Sequence, residues 1–292
     1  MINAKRVLIV LCFSLLWACT RPASGLSPSA EISTIETISI NGTDRSYRLY
    51  RPQGSVEGMP LLIGLHGLGG TAAFQERLSG ASNLADLEGF VVAYPEGELL
   101  GRQQAWRVGP GSPDVGFLTL LARHLIVEFN LDPNRIYLAG HSNGGGMVHR
   151  AACEASDVFA AVAGVAGAYP SGPVCDPEES IAVIAFHSLD DPVVPYQGSA
   201  QTLALPEWAA GWAQRNACAV RPESSLLNGA VEVANWNHCL QDVEVTLVTV
   251  DGDGHRWSGG PGAEASVNAT EIMWAFFEAH SKGERGGLSP ES

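Results

Sequence analysis

The stretch YLAGHSNGGGM, residues 137–147, sets a serine between two glycines, after an apolar run and before a small-residue segment. A bare G-x-S-x-G is a weak signal. It acquires meaning only where a strand feeds the serine turn and a helix leaves it. Upstream, RIYLA (135–139) reads as a short apolar strand, and NGGGMVHRAAC (143–153) can continue as a helix. The glycines at 140 and 144 then have a steric purpose, because a sharp strand–turn–helix elbow leaves no room for Cβ atoms two positions either side of the serine. Such an elbow lifts the Ser142 hydroxyl clear of the sheet edge, and the helix N-terminus turns backbone N–H groups toward it. A P-loop would need a lysine after the glycines, and none follows.

Working outward, PLLIGLHG (60–67), FVVAYP (90–95), FAAVAGVAG (159–167), IAVIAFH (181–187) and VTLVTV (245–250) are continuous apolar runs. Runs of this kind fit strands buried on both faces, as in a parallel sheet. Earlier, TISINGTDRSYRLYRP (37–52) alternates around Asn41-Gly42 and predicts an antiparallel hairpin. Helical patterns lie between the strands. Phe117, Leu121, Leu125 and Phe129 recur every four residues in 114–129, and Trp208 and Trp212 are spaced i, i+4. The last helix is expected to begin at Asn268, an N-cap residue with Glu271 three positions on. Alternating strands and helices give an α/β domain over 33–282, with a mostly parallel central sheet and helices on both faces.

A serine hydroxyl is a weak nucleophile and needs a base, which in turn needs an orienting carboxylate. On an elbow of this topology the chain order is Ser, then Asp or Glu, then His. Of the histidines downstream, His255 stands on a glycine-rich loop after an apolar strand and fits the base best. His238 is the rival, His149 lies on the nucleophile's own helix, His187 closes an apolar strand, and His280 lies near the end of the last helix. The carboxylate belongs on the loop after an earlier strand. IAVIAFHSLDDPVVPY (181–196) offers Asp190 and Asp191 there, with Asp251 and Asp253 as alternatives. One oxyanion donor is expected to be the N–H of Asn143. The second is expected from the loop His66-Gly67-Leu68, where His66 shapes the loop rather than acting as base.

The chain has 292 residues and a net charge of −14, which argues against nucleic acid as a partner. Lys5 and Arg6 followed by Val7 to Leu16 read as a signal peptide over 1–18, too short to span a bilayer. Leu16-Trp17-Ala18-Cys19 is similar to a lipobox, which makes Cys19 the expected lipidation site and a lipid anchor the expected membrane contact. The plain secreted protein is the alternative. Residues 19–32 read as a polar tether and 283–292 as a flexible tail. Four further cysteines, Cys153, Cys175, Cys218 and Cys239, suggest two disulfides in an exported protein. Three connectivities are open, and pairing of sequence neighbours, 153–175 and 218–239, is expected. Metal-ligand spacing of the C-x-x-C or H-x-x-x-H type is not found in the sequence, so neither a metal nor another cofactor is expected.

Taken together, LHGLGG (65–70), WRVG and DVGF (106–109 and 114–117), DPNRIYLAGHSNGGGM (132–147), HSLDDPVVPY (187–196) and GDGHRWSGG (252–260) fall in an order that resembles the polyhydroxybutyrate depolymerase and feruloyl esterase group. That group includes carbohydrate esterase family 1 and LpqC-like lipoproteins, and the resemblance runs over roughly residues 33–280. It implies an α/β-hydrolase fold and a serine esterase acting on a small-molecule or oligomeric ester. In the group's H-G-T-x-D-x-x-V-P-Y pattern the triad aspartate falls on Asp191, in its G-H-x-W-P-G pattern the base falls on His255, and in its L-H-G-C pattern the oxyanion N–H falls on Leu68. Ser188-Leu189, Ser258 and Leu68 depart from the usual Gly-Thr, Pro and Cys. Trp106 and Trp257 are expected as aromatic walls beside the site, with a core role as the alternative. A non-catalytic binding protein on a hydrolase scaffold is the rival function, and labelling of Ser142 by an organophosphonate separates the two.

Overall fold

The apolar runs become the middle of a sheet covered on both sides. A computed structural model of the chain describes residues 33–283 except 41, 172–174, 230 and 264–266. The expected signal peptide, the lipidation site Cys19, the tether up to residue 32, and the tail beyond Gly283 lie outside the described residues.

In chain order the elements are β1 (Thr34–Ile40), β2 (Thr43–Tyr50), β3 (Leu61–Leu65), α1 (Ala72–Ser79), α2 (Ala81–Glu88), β4 (Val91–Pro95), β5 (Glu98–Leu100), β6 (Gln103–Ala105) and α3 (Pro113–Phe129). They continue with β7 (Ile136–His141), α4 (Asn143–Glu154), β8 (Ala161–Val165), β9 (Ala182–Ser188), α5 (Leu205–Arg215), β10 (Glu223–Leu227), β11 (Val231–Trp236), β12 (Val245–Val250) and α6 (Ala269–Glu278). The main sheet runs β1-β2-β4-β3-β7-β8-β9-β12-β11-β10. The pairs from β4 to β12 are parallel, and the two strands added at each edge are antiparallel. β5 and β6 form a small separate hairpin.

Successive side chains of a strand point to opposite faces, so a strand with both faces covered must be apolar throughout. All of β3, β4, β8 and β12 is buried. From β3, Leu61, Ile63 and Leu65 pack into one core layer with Leu118 and Leu121 of α3 and Met147 of α4. Leu62 points the other way, into a layer with Ala85 of α2 and Phe277 of α6. The α3 stripe buries Phe117, Leu121 and Leu125 as its spacing predicts. Each such side chain contributes about 1.5–3 kcal/mol on burial. Asn268 caps α6, its side chain accepting from Thr270 N–H, and its amide donates to the Glu271 carboxylate at 2.8 Å.

This register brings the carboxyl ends of β3, β7, β9 and β12 to one edge of the sheet, and the loops that follow them carry the candidate site residues.

Candidate active site

Ser142 is the single residue between β7 and α4. Its φ of 53° and ψ of −116° lie where side-chain-bearing residues seldom sit, a conformation that costs about 1–3 kcal/mol unless the surroundings hold it. The surroundings do hold it. Ser142 N–H donates to the Val165 carbonyl at 3.0 Å, and the Ser142 carbonyl accepts from Gly146 and Ala168 N–H at 3.0 Å each. The flanking glycines are sterically required. A Cβ on Gly140 would stand 2.4 Å from the Gly144 carbonyl oxygen, and one on Gly144 would stand 2.6 Å from the carbonyl oxygens of Leu65 and His66.

His255, on the loop after β12, places Nε2 2.8 Å from Ser142 Oγ and Nδ1 2.8 Å from Asp191 Oδ2. With Nδ1–H donating to the carboxylate, Nε2 is free to accept the serine proton. Asp191 is buried in the turn after β9. Its Oδ1 accepts from Val193 and Val194 N–H at 2.8 Å each, and His187 Nε2 lies 3.2 Å from Oδ2. Burial alone would raise the Asp191 pKa. The bonds from His187, His255 and the two backbone N–H groups outweigh it and hold the carboxyl well below the usual range.

The other candidates fall elsewhere. Asp190 is exposed, and its Oδ1 accepts from the Ser188 hydroxyl and from Gly254 N–H at 3.1 Å. The Ser188 bond, then the Gly254 bond, lowers its pKa. Asp253 is buried but meets Ser188 through its backbone N–H at 3.2 Å, and Asp251 is exposed. His238 sits in the loop after β11 at φ 54° and has no part in the Ser142–His255–Asp191 chain. His149 and His280 are buried and bonded locally, His149 to two indoles and His280 to the Phe276 carbonyl. His141, whose ring centre is 5.1 Å from that of His255, is pushed down to about 3 by burial and then by His255. It is therefore neutral at neutral pH.

The loop after β3 lies against the elbow. A Cβ on Gly67 would be 3.3 Å from Ser142 Cβ and 3.1 Å from His141 Nδ1. Leu68 follows it with its side chain exposed. Asn143 opens α4, so its N–H has no acceptor within the helix. His66 is fully buried. Its Nδ1 lies 2.8 Å from the Gly67 carbonyl, and its Nε2 accepts from Gly97 N–H at 2.9 Å. Both ring nitrogens are occupied in shaping the loop.

Trp106 and Trp257 differ from the expected aromatic walls. Each is 2% exposed, with its indole N–H bonded inside the protein: Trp106 to the His66 carbonyl and Trp257 to Thr270 Oγ1, both at 2.9 Å. Their rings belong to the packed interior. The large apolar side chains that do stand open on the loops after β3 and β9 are Leu68, Leu189 and Val193. The sequence reading did not single out His187 as a partner of Asp191, although its place four residues before Asp191 at the end of an apolar strand is a signal that could have found it.

Cys153 pairs with Cys175 and Cys218 with Cys239, the sequence-neighbour connectivity. Among the described residues one group has metal-ligand proximity, His149 with Cys153 and Cys175. Its sulfurs are bonded to each other, and His149 Nδ1 faces the indole N–H groups of Trp208 and Trp212 at 3.2 Å each, so the thiolates a metal would need are not present. Among the described residues no helix is long and apolar enough to cross a membrane.

Residues 45–210 match the family described as esterase PHB depolymerase. NocK of Nocardia uniformis subsp. tsuyamanensis, which carries an esterase name, is 31% identical over 82% of this chain and 78% of its own length. Feruloyl esterase B of Piromyces equi is 32% identical over 69% of this chain, which spans 40% of that enzyme's length. Among solved structures, an acetyl xylan esterase from Aspergillus awamori superposes with a TM-score of 0.64 at 15% identity, covering 84% of this chain and 99% of that one. At that identity the likeness is one of fold.

Proposed function

The chain belongs to the esterase PHB depolymerase family and is a carboxylic-ester hydrolase, and we propose that it works through an acyl-enzyme on Ser142. Ser142 Oγ attacks the ester carbonyl while His255 Nε2 takes its proton. His255 then protonates the leaving alcohol, and Asp191 fixes the imidazole tautomer and offsets the imidazolium charge. The Leu68 and Asn143 N–H groups hold the tetrahedral oxyanion. Water, deprotonated by His255, releases the acid. The observation that carries this reading is the continuous Ser142–His255–Asp191 chain, 2.8 Å at both links.

The substrate classes proposed are feruloyl or other carbohydrate esters and 3-hydroxyalkanoate oligomers. The names of the relatives support the first, and the family description supports the second. The deciding experiment measures kcat/KM for methyl ferulate and for a 3-hydroxybutyrate dimer ester, with Ser142→Ala as the blank. A preference for ferulate assigns a phenolic-acid pocket, and a preference for the hydroxybutyrate ester assigns oligomer cleavage. Neither ester turning over above the blank removes the reading.

An exported enzyme, lipid-anchored at Cys19, is the proposed location. The basic and apolar segments of 1–18 support it, and so do two disulfides, which persist in oxidising compartments. Cys19→Ser should move the protein out of the membrane fraction. Unchanged fractionation sinks the anchor.

A further inference from the structure

Trp106 touches both segments that carry the oxyanion donors. Its backbone N–H donates to Asn143 Oδ1 at 2.8 Å, and its carbonyl accepts from Asn143 Nδ2 at 3.2 Å. Its indole N–H donates to the carbonyl of His66 at 2.9 Å, two residues before Leu68. The residue is itself anchored from behind. Arg107 N–H donates to Asp114 Oδ2 at 2.9 Å, and the fully buried Asp114 accepts from Arg45 Nη1 at 3.1 Å. The Arg45 guanidinium in turn lies 3.9 Å above the Phe117 ring on α3.

We propose that Trp106 is a positioning residue that sets the spacing between the Leu68 and Asn143 N–H groups, and so shapes the oxyanion site rather than a substrate wall. The proposal rests on the assignment of Ser142 as nucleophile. Its physical basis is that hole donors act on the charge that develops in the transition state, and only when placed at about 2.7–3.1 Å from it. These two donors lie three residues past Leu65 of β3 and Gly140 of β7, the last paired positions of two neighbouring strands, so the ladder sets their coarse separation and a tie between the segments beyond it must set the finer spacing. Trp106 does so with three hydrogen bonds, two to the Asn143 side chain and one to the Leu68 loop. Asn143 therefore has two roles: its backbone N–H faces the reaction, while its side-chain amide is bonded to the Trp106 backbone at both ends. A ground-state ester carbonyl makes weaker demands on this spacing than the oxyanion does, so loosening it lowers kcat and leaves KM.

Two variants test this from opposite sides. Trp106→Phe keeps a ring and removes the bond to His66. Asn143→Ala keeps the backbone N–H and removes both bonds to Trp106. With p-nitrophenyl acetate each should lose about 10–100-fold in kcat, with KM changed less than about threefold. Affinity for phenylboronic acid, which forms a tetrahedral adduct with an active serine, should fall in step with kcat. The double variant should lose far less than the product of the single losses, because either break releases the same spacing. Trp106→Phe with wild-type kcat and boronate affinity overturns the proposal, as does a raised KM with unchanged kcat, which would make the ring a substrate wall. If Asn143→Ala does not fold, Trp106→Phe still decides. Organophosphonate labelling keeps the two levels apart. A wild type that does not label at Ser142 removes the nucleophile assignment and this proposal with it, whereas a labelled wild type with an unimpaired Trp106→Phe removes this proposal alone.

Discussion

Asp190 and Asp191 are chain neighbours with opposite settings: Asp191 is buried with Oδ2 2.8 Å from His255 Nδ1, and Asp190 is exposed with Oδ1 3.1 Å from Gly254 N–H. The pair makes an internal control. Asp191→Asn should lower kcat about 10³–10⁴-fold, because an amide at this position favours the wrong imidazole tautomer. Asp190→Asn removes only a charge from a loop tie and should cost less than about tenfold. Steady-state rates on one ester decide it, and the reverse ranking would move the acid to Asp190.

Ser142→Ala and His255→Ala should each lose at least about 10⁴-fold in kcat while the fold stays intact by circular dichroism. His238→Ala should retain activity within about threefold. Full turnover by His255→Ala would leave the site without its base.

Gly140→Ala should destabilise the protein by about 1–3 kcal/mol and lower kcat as well, since the new Cβ would press on the Gly144 carbonyl oxygen at 2.4 Å and force the elbow to shift. Urea unfolding and turnover measured on one sample check both halves. Gly252→Ala, with open space around its Cβ but a φ of 84°, should cost about 1–2 kcal/mol and only through backbone strain.

Acid should destabilise the protein in two windows. His141 and His149 are each pushed down to about 3, by burial in the first place. Between about pH 6.5 and 3 the unfolded chain binds protons that the folded chain does not, so stability falls with pH by about 1.4 kcal/mol per pH unit per histidine. The depressed carboxyl of Asp191 acts in the same direction. Its contribution is complete above the unfolded value of about 3.8 and is lost as pH drops below it. His149→Asn keeps an acceptor for the Trp208 and Trp212 indoles and should show the shallower slope in urea titrations at pH 4, 5 and 6. An identical slope would mean that His149 protonates without unfolding.

The two disulfides close sequence separations of 22 and 21 residues. Removing either as a Cys-to-Ser pair should cost about 2–4 kcal/mol and lower Tm measurably. An unchanged Tm after full reduction would show that folding does not depend on them.

The parallel strands were legible in the sequence because covering both faces of a sheet demands uninterrupted apolar runs, and the elbow was legible because its glycines answer a steric need. β10 was not legible. ESSLL is almost wholly exposed at the sheet edge, so nothing in its side chains records that it is paired. The choice between Asp190 and Asp191 was equally closed to composition, since two identical residues differ only in which one the turn points inward. It came through resemblance to a family pattern. Trp106 stayed open between a wall and a core role for a related reason. A tryptophan near a nucleophile looks the same in sequence whether it lines a pocket or fills the interior, and its indole N–H can serve the backbone as readily as a substrate.

The hydrogen-bonded chain from Ser142 to Asp191 spans three strand ends that are far apart in sequence, with a separation of 113 from Ser142 to His255 and of 64 from Asp191 to His255. No short piece of polypeptide holds even two of these groups in working order. On the proposed mechanism, catalytic competence should emerge late in refolding, once β12 has joined the sheet, and recovery of turnover would time the closure of long-range topology rather than the growth of local structure. A nascent chain that has emerged only as far as the turn after β9 carries the proposed nucleophile Ser142 and the proposed acid Asp191 but not His255, the proposed base. Such an intermediate would not hydrolyse esters before its synthesis is complete.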